Sequence, residues 1–145
     1  MKVNTKVRYG LRAILRIGEG FGGPPVSIAT ISEEQEISSK YLEQVISPLR
    51  RRELVVSQKG VKGGYSLARE PGEITLWDVI QALDNHPYLV ECVEDPTNCT
   101  RSDCCVAHEV WKLLDSRMQD FWRGFTLADL MVAAKTGDSP LSLEA

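Results

Sequence analysis

All four cysteines of the chain and one of its two histidines fall in the stretch CVEDPTNCTRSDCCVAH, from Cys92 to His108. Three thiolates, from Cys92, Cys99 and either Cys104 or Cys105, together with the His108 imidazole would supply four donors to one metal ion or iron-sulfur cluster. Four cysteines could instead pair as disulfides in three connectivities. A 145-residue chain that is 43% hydrophobic can build a core without such staples. The N-terminus, MKVNTKVRYGLRAILRIG, carries cations throughout and no uninterrupted apolar run, so it reads neither as a signal peptide nor as a membrane span. A cytoplasmic protein with no membrane association is expected, and there clustered thiols read as ligands. No oxyanion hole, glycine-rich elbow or second catalytic carboxylate can be argued beside Cys105 and His108, so an enzyme is not expected and no catalytic residue is assigned.

The elements that must position this loop divide by charge. Residues 1 to 62 carry 11 Lys and Arg against 6 Asp and Glu, a net of +5, and the remainder carries 6 against 14, a net of −8. The overall charge of −3 therefore conceals a basic first half suited to phosphates. Its first helix begins at Asn4 or Thr5 and lines up Val7, Leu11, Ile14, Leu15 and Gly18 on one face. Lys6 and Arg8, near its start, are placed for phosphate contact, while Arg12 and Arg16 read equally well as a solvated face. GFGGPP, from Gly20 to Pro25, is a loop.

Ser27 then caps a helix from Ile28 to about Gln35, and a second helix starts at Ser38-Ser39, which is the layout of a helix-turn-helix. In the second helix Leu42, Val45, Ile46 and Leu49 form the buried stripe. Ser38, Ser39, Lys40, Tyr41, Glu43 and Gln44 are left near the end that meets base edges. Gln44 can pair adenine bidentately, Lys40 can reach guanine or phosphate, and Glu43 is tolerated only where it accepts from cytosine. Pro48 predicts a kink or a frayed end. Two strand-like runs follow, Leu54 to Gln58 and Tyr65 to Leu67, around the cationic tip KGVKGG. After a recognition helix, such a hairpin is a wing, with Lys59, Gly60, Lys62 and Gly63 against the nucleic acid.

Thr75 and Asp78 form a capping box for a helix to about Leu83 that buries Trp77 and Ile80. His86, in a loop beside Pro87, reads as structural or solvated. From about Ala107 to Arg123 a long helix repeats Trp111, Leu114, Met118, Phe121 or Trp122, and Phe125 at spacings of three and four, an a/d seam. A second copy of the chain is the expected cover, giving a symmetric homodimer. Thr126 caps a short helix to Ala134, and residues 135–145 are expected to be disordered. The expected fold is mostly α (α+β): a winged helix-turn-helix over 1–83, a cluster-binding loop over 84–106, and over 107–134 a dimerisation helix with a short terminal helix.

The residues around Lys6 to Ala13, the run Tyr41-Leu42-Glu43-Gln44, the wing KGVKGGYSL, and Cys92, Cys99 and Cys105 followed by Val106-Ala107-His108 and Trp111 resemble the IscR-type regulators of the Rrf family. These are bacterial winged-helix transcription factors that hold a 2Fe-2S cluster through three cysteines and a histidine. The resemblance covers roughly residues 1 to 130. It implies Cys92, Cys99, Cys105 and His108 as ligands, leaves Cys104 spare, and implies a dimer on a roughly palindromic double-stranded DNA operator. Regulation of iron-sulfur biogenesis or related iron and redox genes follows from the same likeness. Relatives that sense nitric oxide use an acidic ligand near the first helix, where this chain has Arg8, and the sister regulators of cysteine metabolism lack the cysteine cluster. The chain departs from the family pattern in its six-residue first cysteine gap and in Lys40. A structural zinc at the same four donors fits on spacing alone.

Overall fold

The computed structural model describes residues 3–139. Helix α1, Thr5–Glu19, starts at Asn4, whose side-chain oxygen accepts the Val7 N–H at 2.9 Å. Its most buried stripe is Val7, Gly10, Ala13, Ile14 and Ile17, with Leu11 and Leu15 at the margins. Small residues lie at the centre because α1 is crossed at close range. A Cβ on Gly10 would fall 2.3 Å from a Leu83 methyl and 3.0 Å from Val45, so any larger residue there forces the Leu83 side chain to move and crowds Val45.

Helices α2, Ile28–Gln35, and α3, Ser39–Arg51, are separated by a turn in which Glu36 takes φ 54° and Ile37 is buried. Ser27 and Ser38 cap them, accepting from the N–H groups of Thr30 and Tyr41. The Ser32 hydroxyl donates to the Ile37 carbonyl at 2.6 Å and pins the turn. Leu42, Val45, Ile46 and Leu49 fill the centre of the domain, each no more than 1% exposed. Pro48, where a kink or a frayed end is expected, lies inside α3, which does not fray there and continues to Arg51. Its ring is buried, and that packing offsets part of the roughly 3 kcal/mol such a residue costs in a helix.

Strands β1, Val55–Gln58, and β2, Gly64–Leu67, pair antiparallel in the register Val55 to Leu67 and Gln58 to Gly64. Val26 adds a single bridge to Tyr65 with two hydrogen bonds of 2.9 and 2.8 Å, which fastens the wing to the start of α2. Gly64 permits this: a Cβ there would lie 2.4 Å from the Val26 carbonyl oxygen.

Helix α4, Leu76–Leu83, has the expected capping box of Thr75 and Asp78, and Trp77, Ile80 and Leu83 are buried. A short helix α5, Glu91–Glu94, opens the cysteine loop. Helix α6, Val106–Arg123, then runs out along the molecule with only His108 and Asp115 buried, and α7, Leu127–Thr136, packs back on α1. Thr126 caps α7 with its own capping box to Asp129. Paired hydrogen bonds, Leu76 N–H to Phe125 carbonyl and Leu127 N–H to Ile74 carbonyl, both 2.9 Å, lock the α6–α7 junction onto the start of α4.

Two expectations change here. Phe125, placed on the dimer seam, is 4% exposed and belongs to the chain's own core, and Trp122 is half-buried against that core rather than facing outward. The reason is that junction: chain reversal at Gly124 turns the end of α6 back onto α4. The disorder expected from Lys135 does not begin there, since α7 continues through Lys135 and Thr136; residues 140–145 lie outside the described residues.

Candidate nucleic-acid interface and cysteine loop

Ser38, Ser39, Lys40, Glu43 and Gln44 are exposed on one side of α3, and Tyr41 is half-buried, edge-on to the Tyr9 ring of α1 at 5.7 Å. The exposed stripe does not stop at Gln44. Ser47, Arg50 and Arg51 continue it toward the exposed side of β1. Among the described residues Arg50, Arg51 and Arg52 make no ion pair, whereas Arg16, Lys112 and Arg123 each have a carboxylate partner. Unpaired cations on a continuous stripe beside a wing are suited to phosphates. The run RRR was the available signal for them, and it reads in sequence only as the basic end of a helix. At the wing, Lys59, Gly60 and Lys62 are exposed, Gly63 is half-buried, and Gly60 takes φ 114°.

The cations of α1 divide. Lys6 is half-buried, and Arg8 is exposed with its guanidinium 5.9 Å from the Tyr9 ring centre. Arg12 donates to Gln35, and Arg16 pairs with Glu34, so both tie α1 to α2. The hydrogen bond between Arg16 and Glu34 raises the guanidinium's pKa and holds the Glu34 carboxyl below its ordinary range.

In the cysteine loop, Cys92 sits on α5, Cys99 ends a 3-10 turn over Pro96–Asn98, and Cys105 precedes the first residue of α6. All four thiols are free; Cys92, Cys99 and Cys105 are half-buried. Cys104 is exposed, and its thiol donates to the Arg101 carbonyl of its own turn at 3.6 Å. His108, 5% exposed, presents Nδ1 to the Cys92 sulfur at 3.5 Å. The two ends of the loop therefore meet at one thiol and one imidazole. Among the described residues no three His, Cys, Asp or Glu side chains stand close enough together to hold a metal ion, so Cys99 and Cys105 are not gathered at that pair. The donor set fits a soft metal or a cluster: a sheltered imidazole facing a thiol, with two more part-sheltered thiols on the same loop. Asp95 shapes the loop by accepting from the Thr97 hydroxyl at 2.7 Å and N–H at 3.0 Å, which keeps its carboxyl below the usual range. His86 stands outside the constellation, 77% exposed, with Nδ1 3.0 Å from the Glu94 carboxylate.

A helix-turn-helix, a two-stranded wing and a long projecting helix define a winged-helix protein. The chain belongs to the Rrf2 family, described as iron-dependent transcriptional regulators, whose model matches residues 3–133. It is 39% identical over 131 residues to the HTH-type transcriptional regulator IscR of Sodalis glossinidius, covering 90% of this chain and 79% of that one. It is 40% identical over 131 residues to protein rrf2 of Nitratidesulfovibrio vulgaris, covering 90% and 87%. The structure of T. potens IscR superposes with a TM-score of 0.77 at 34% identity over 96% of this chain and 92% of that one. CymR, the global cysteine regulator of B. subtilis, superposes with 0.76 at 34% identity over 91% and 97%. No helix among the described residues is long and apolar enough to cross a membrane.

Proposed function

We propose that this chain is a cytoplasmic, dimeric regulator whose DNA binding is set by an iron-sulfur cluster of the 2Fe-2S type, held by Cys92, Cys99, Cys105 and His108. The observation that carries the reading is the buried His108 with Nδ1 3.5 Å from the Cys92 sulfur. A histidine from α6 and a cysteine from the far end of the loop already face each other before Cys99 and Cys105 close in. When bound, such a cluster supplies an oxidisable and labile centre whose presence reports iron and redox conditions.

The chain's own residues do the rest. His108 would ligate as a neutral imidazole, the one donor of the four without a thiolate's charge. Gathering Cys99 and Cys105 to the His108–Cys92 pair orders the loop on α6, and α6 is locked to α4 through the Leu76–Phe125 and Leu127–Ile74 bonds. The loop's order thereby biases how two winged helices are spaced on a roughly palindromic operator. Lys6, Arg8, Arg50, Arg51, Lys59 and Lys62 contact phosphates, while Ser38, Ser39, Lys40, Tyr41, Glu43 and Gln44 face bases or position those that do. The targets under this reading are genes of iron-sulfur biogenesis or of related iron and redox functions.

A second reading, a regulator of cysteine metabolism, is favoured by the near-equal likeness to CymR. Anaerobic purification separates the two and also the structural-zinc case. A red-brown protein with iron and sulfide in equal amounts supports the cluster, a colourless protein with one zinc overturns it, and a colourless metal-free protein favours the CymR-like role.

A further inference from the structure

Only two residues of α6 are buried, His108 and Asp115. They are seven residues apart, two turns along one face. Asp115 is 2% exposed, and no cation pairs with it among the described residues. A carboxylate in that position is destabilising unless donors compensate it. Two neutral donors do so: the Leu89 backbone N–H reaches one oxygen at 2.9 Å, and the Gln119 amide reaches the other at 2.6 Å. Gln119 in turn accepts from Arg123 at 2.9 Å, and the Arg123 guanidinium lies 5.1 Å from the ring centre of Trp77, which is buried in α4. An unbroken polar ladder at steps of four residues therefore runs from Arg123, over the winged-helix core, to a backbone N–H just upstream of the cysteine loop.

Leu89 stands three residues before Cys92. The segment carrying Cys92 thus meets α6 at two points two turns apart: Leu89 on Asp115 and Cys92 on His108. We propose that Asp115, held in place by Gln119 and Arg123, is a positioning residue that fixes the Cys92 segment opposite His108 and thereby sets how firmly the cysteine loop retains its cluster. The part concerning retention rests on the cluster reading above. A carboxylate suits the task because both of its oxygens accept, one fixing the loop and the other fixing its own rotamer through α6.

The test compares Asp115→Leu and Asp115→Asn with the parent in the full chain. In metal-free protein, Asp115→Leu should speed amide exchange at Leu89 by about tenfold or more. After anaerobic reconstitution with iron and sulfide, release of the cluster to a chelator should be roughly 10- to 100-fold faster, and the visible circular dichroism of the cluster should change as the ligand geometry loosens. Asp115→Asn keeps one acceptor for Leu89 but no longer accepts from Gln119, so it should fall between the parent and Asp115→Leu in all three. Unchanged Leu89 exchange and unchanged release in Asp115→Leu would overturn the proposal, as would an Asn variant as defective as the Leu variant. Should Asp115→Leu fail to fold, Asp115→Ala removes the acceptor without adding bulk and is compared with Asn under the same criteria. A parent protein that takes up no iron and sulfide sinks the cluster reading instead, and Leu89 exchange in the metal-free variants still decides whether Asp115 positions the segment.

Discussion

Cys104 and Cys105 are adjacent in sequence and sit in opposite surroundings. Cys104 is exposed with its thiol turned to its own loop, and Cys105 is half-buried one residue before α6. Cys104→Ala should therefore keep the cluster, whereas Cys92→Ala, Cys99→Ala, Cys105→Ala and His108→Ala should each lose or destabilise it, as read by iron and sulfide content after anaerobic reconstitution. Retention in Cys105→Ala with loss in Cys104→Ala would reverse the assignment. On α3, Gln44→Ala should cost about 1 to 3 kcal/mol at one base pair and relax specificity there. A uniform loss across all sequences would show that Gln44 touches only phosphate. Residues with unusual chemistry were legible in the sequence because chemistry advertises itself: four thiols and a histidine in one loop need no structure to be noticed. Asp115 was not, since one more aspartate in VAHEVWKLLDSRMQDFWR looks like any solvated charge until its burial is known.

Elements with explicit punctuation were legible too. Ser27, Ser38, Thr75 and Thr126 mark four helix starts by side-chain capping, and all four caps form. What escaped lacks a local signal: the Val26–Tyr65 bridge is one residue long, and the centre of α1 packs through Gly10 and Ala13, which apolar periodicity does not weigh. The wing makes its own prediction. Lys59→Ala or Arg50→Ala should weaken binding to every sequence alike and shallow the salt dependence by about one unit each, by fluorescence anisotropy over a salt series. Docking of α1 on α2 should depend on acid. Arg16 lowers the Glu34 carboxyl in the fold, so its contribution is complete above the ordinary value of 4.5 and disappears as pH falls through the lowered one. Thermal unfolding of Glu34→Gln across that range should lack this acid-dependent component.

The molecule as a whole is a winged helix whose acidic second half leaves most of one helix uncovered. Beyond the expected Trp111, Leu114, Met118 and Phe121, helix α6 also exposes Val106, Val110 and Leu113, while Met118 is half-buried. An apolar arc of that width on a small regulator is suited to a second copy of itself. Leu113→Glu with Leu114→Glu should yield monomers by sedimentation, and affinity for a two-half-site operator should collapse with the recognition helix untouched. Charge segregation marked off the half that folds as the winged helix. The burial of Phe125 was not legible, because it keeps the heptad spacing yet lies at a chain reversal that no periodicity reports. The central claim is that cluster occupancy sets DNA binding. It is tested most directly by selecting from one random duplex pool, anaerobically and at fixed salt, with cluster-loaded and chelator-stripped protein in parallel. The account predicts that the two forms enrich different sequences or bind the enriched operator with affinities at least tenfold apart, a difference of about 1.4 kcal/mol; identical sequences bound with equal affinity by both forms would contradict it.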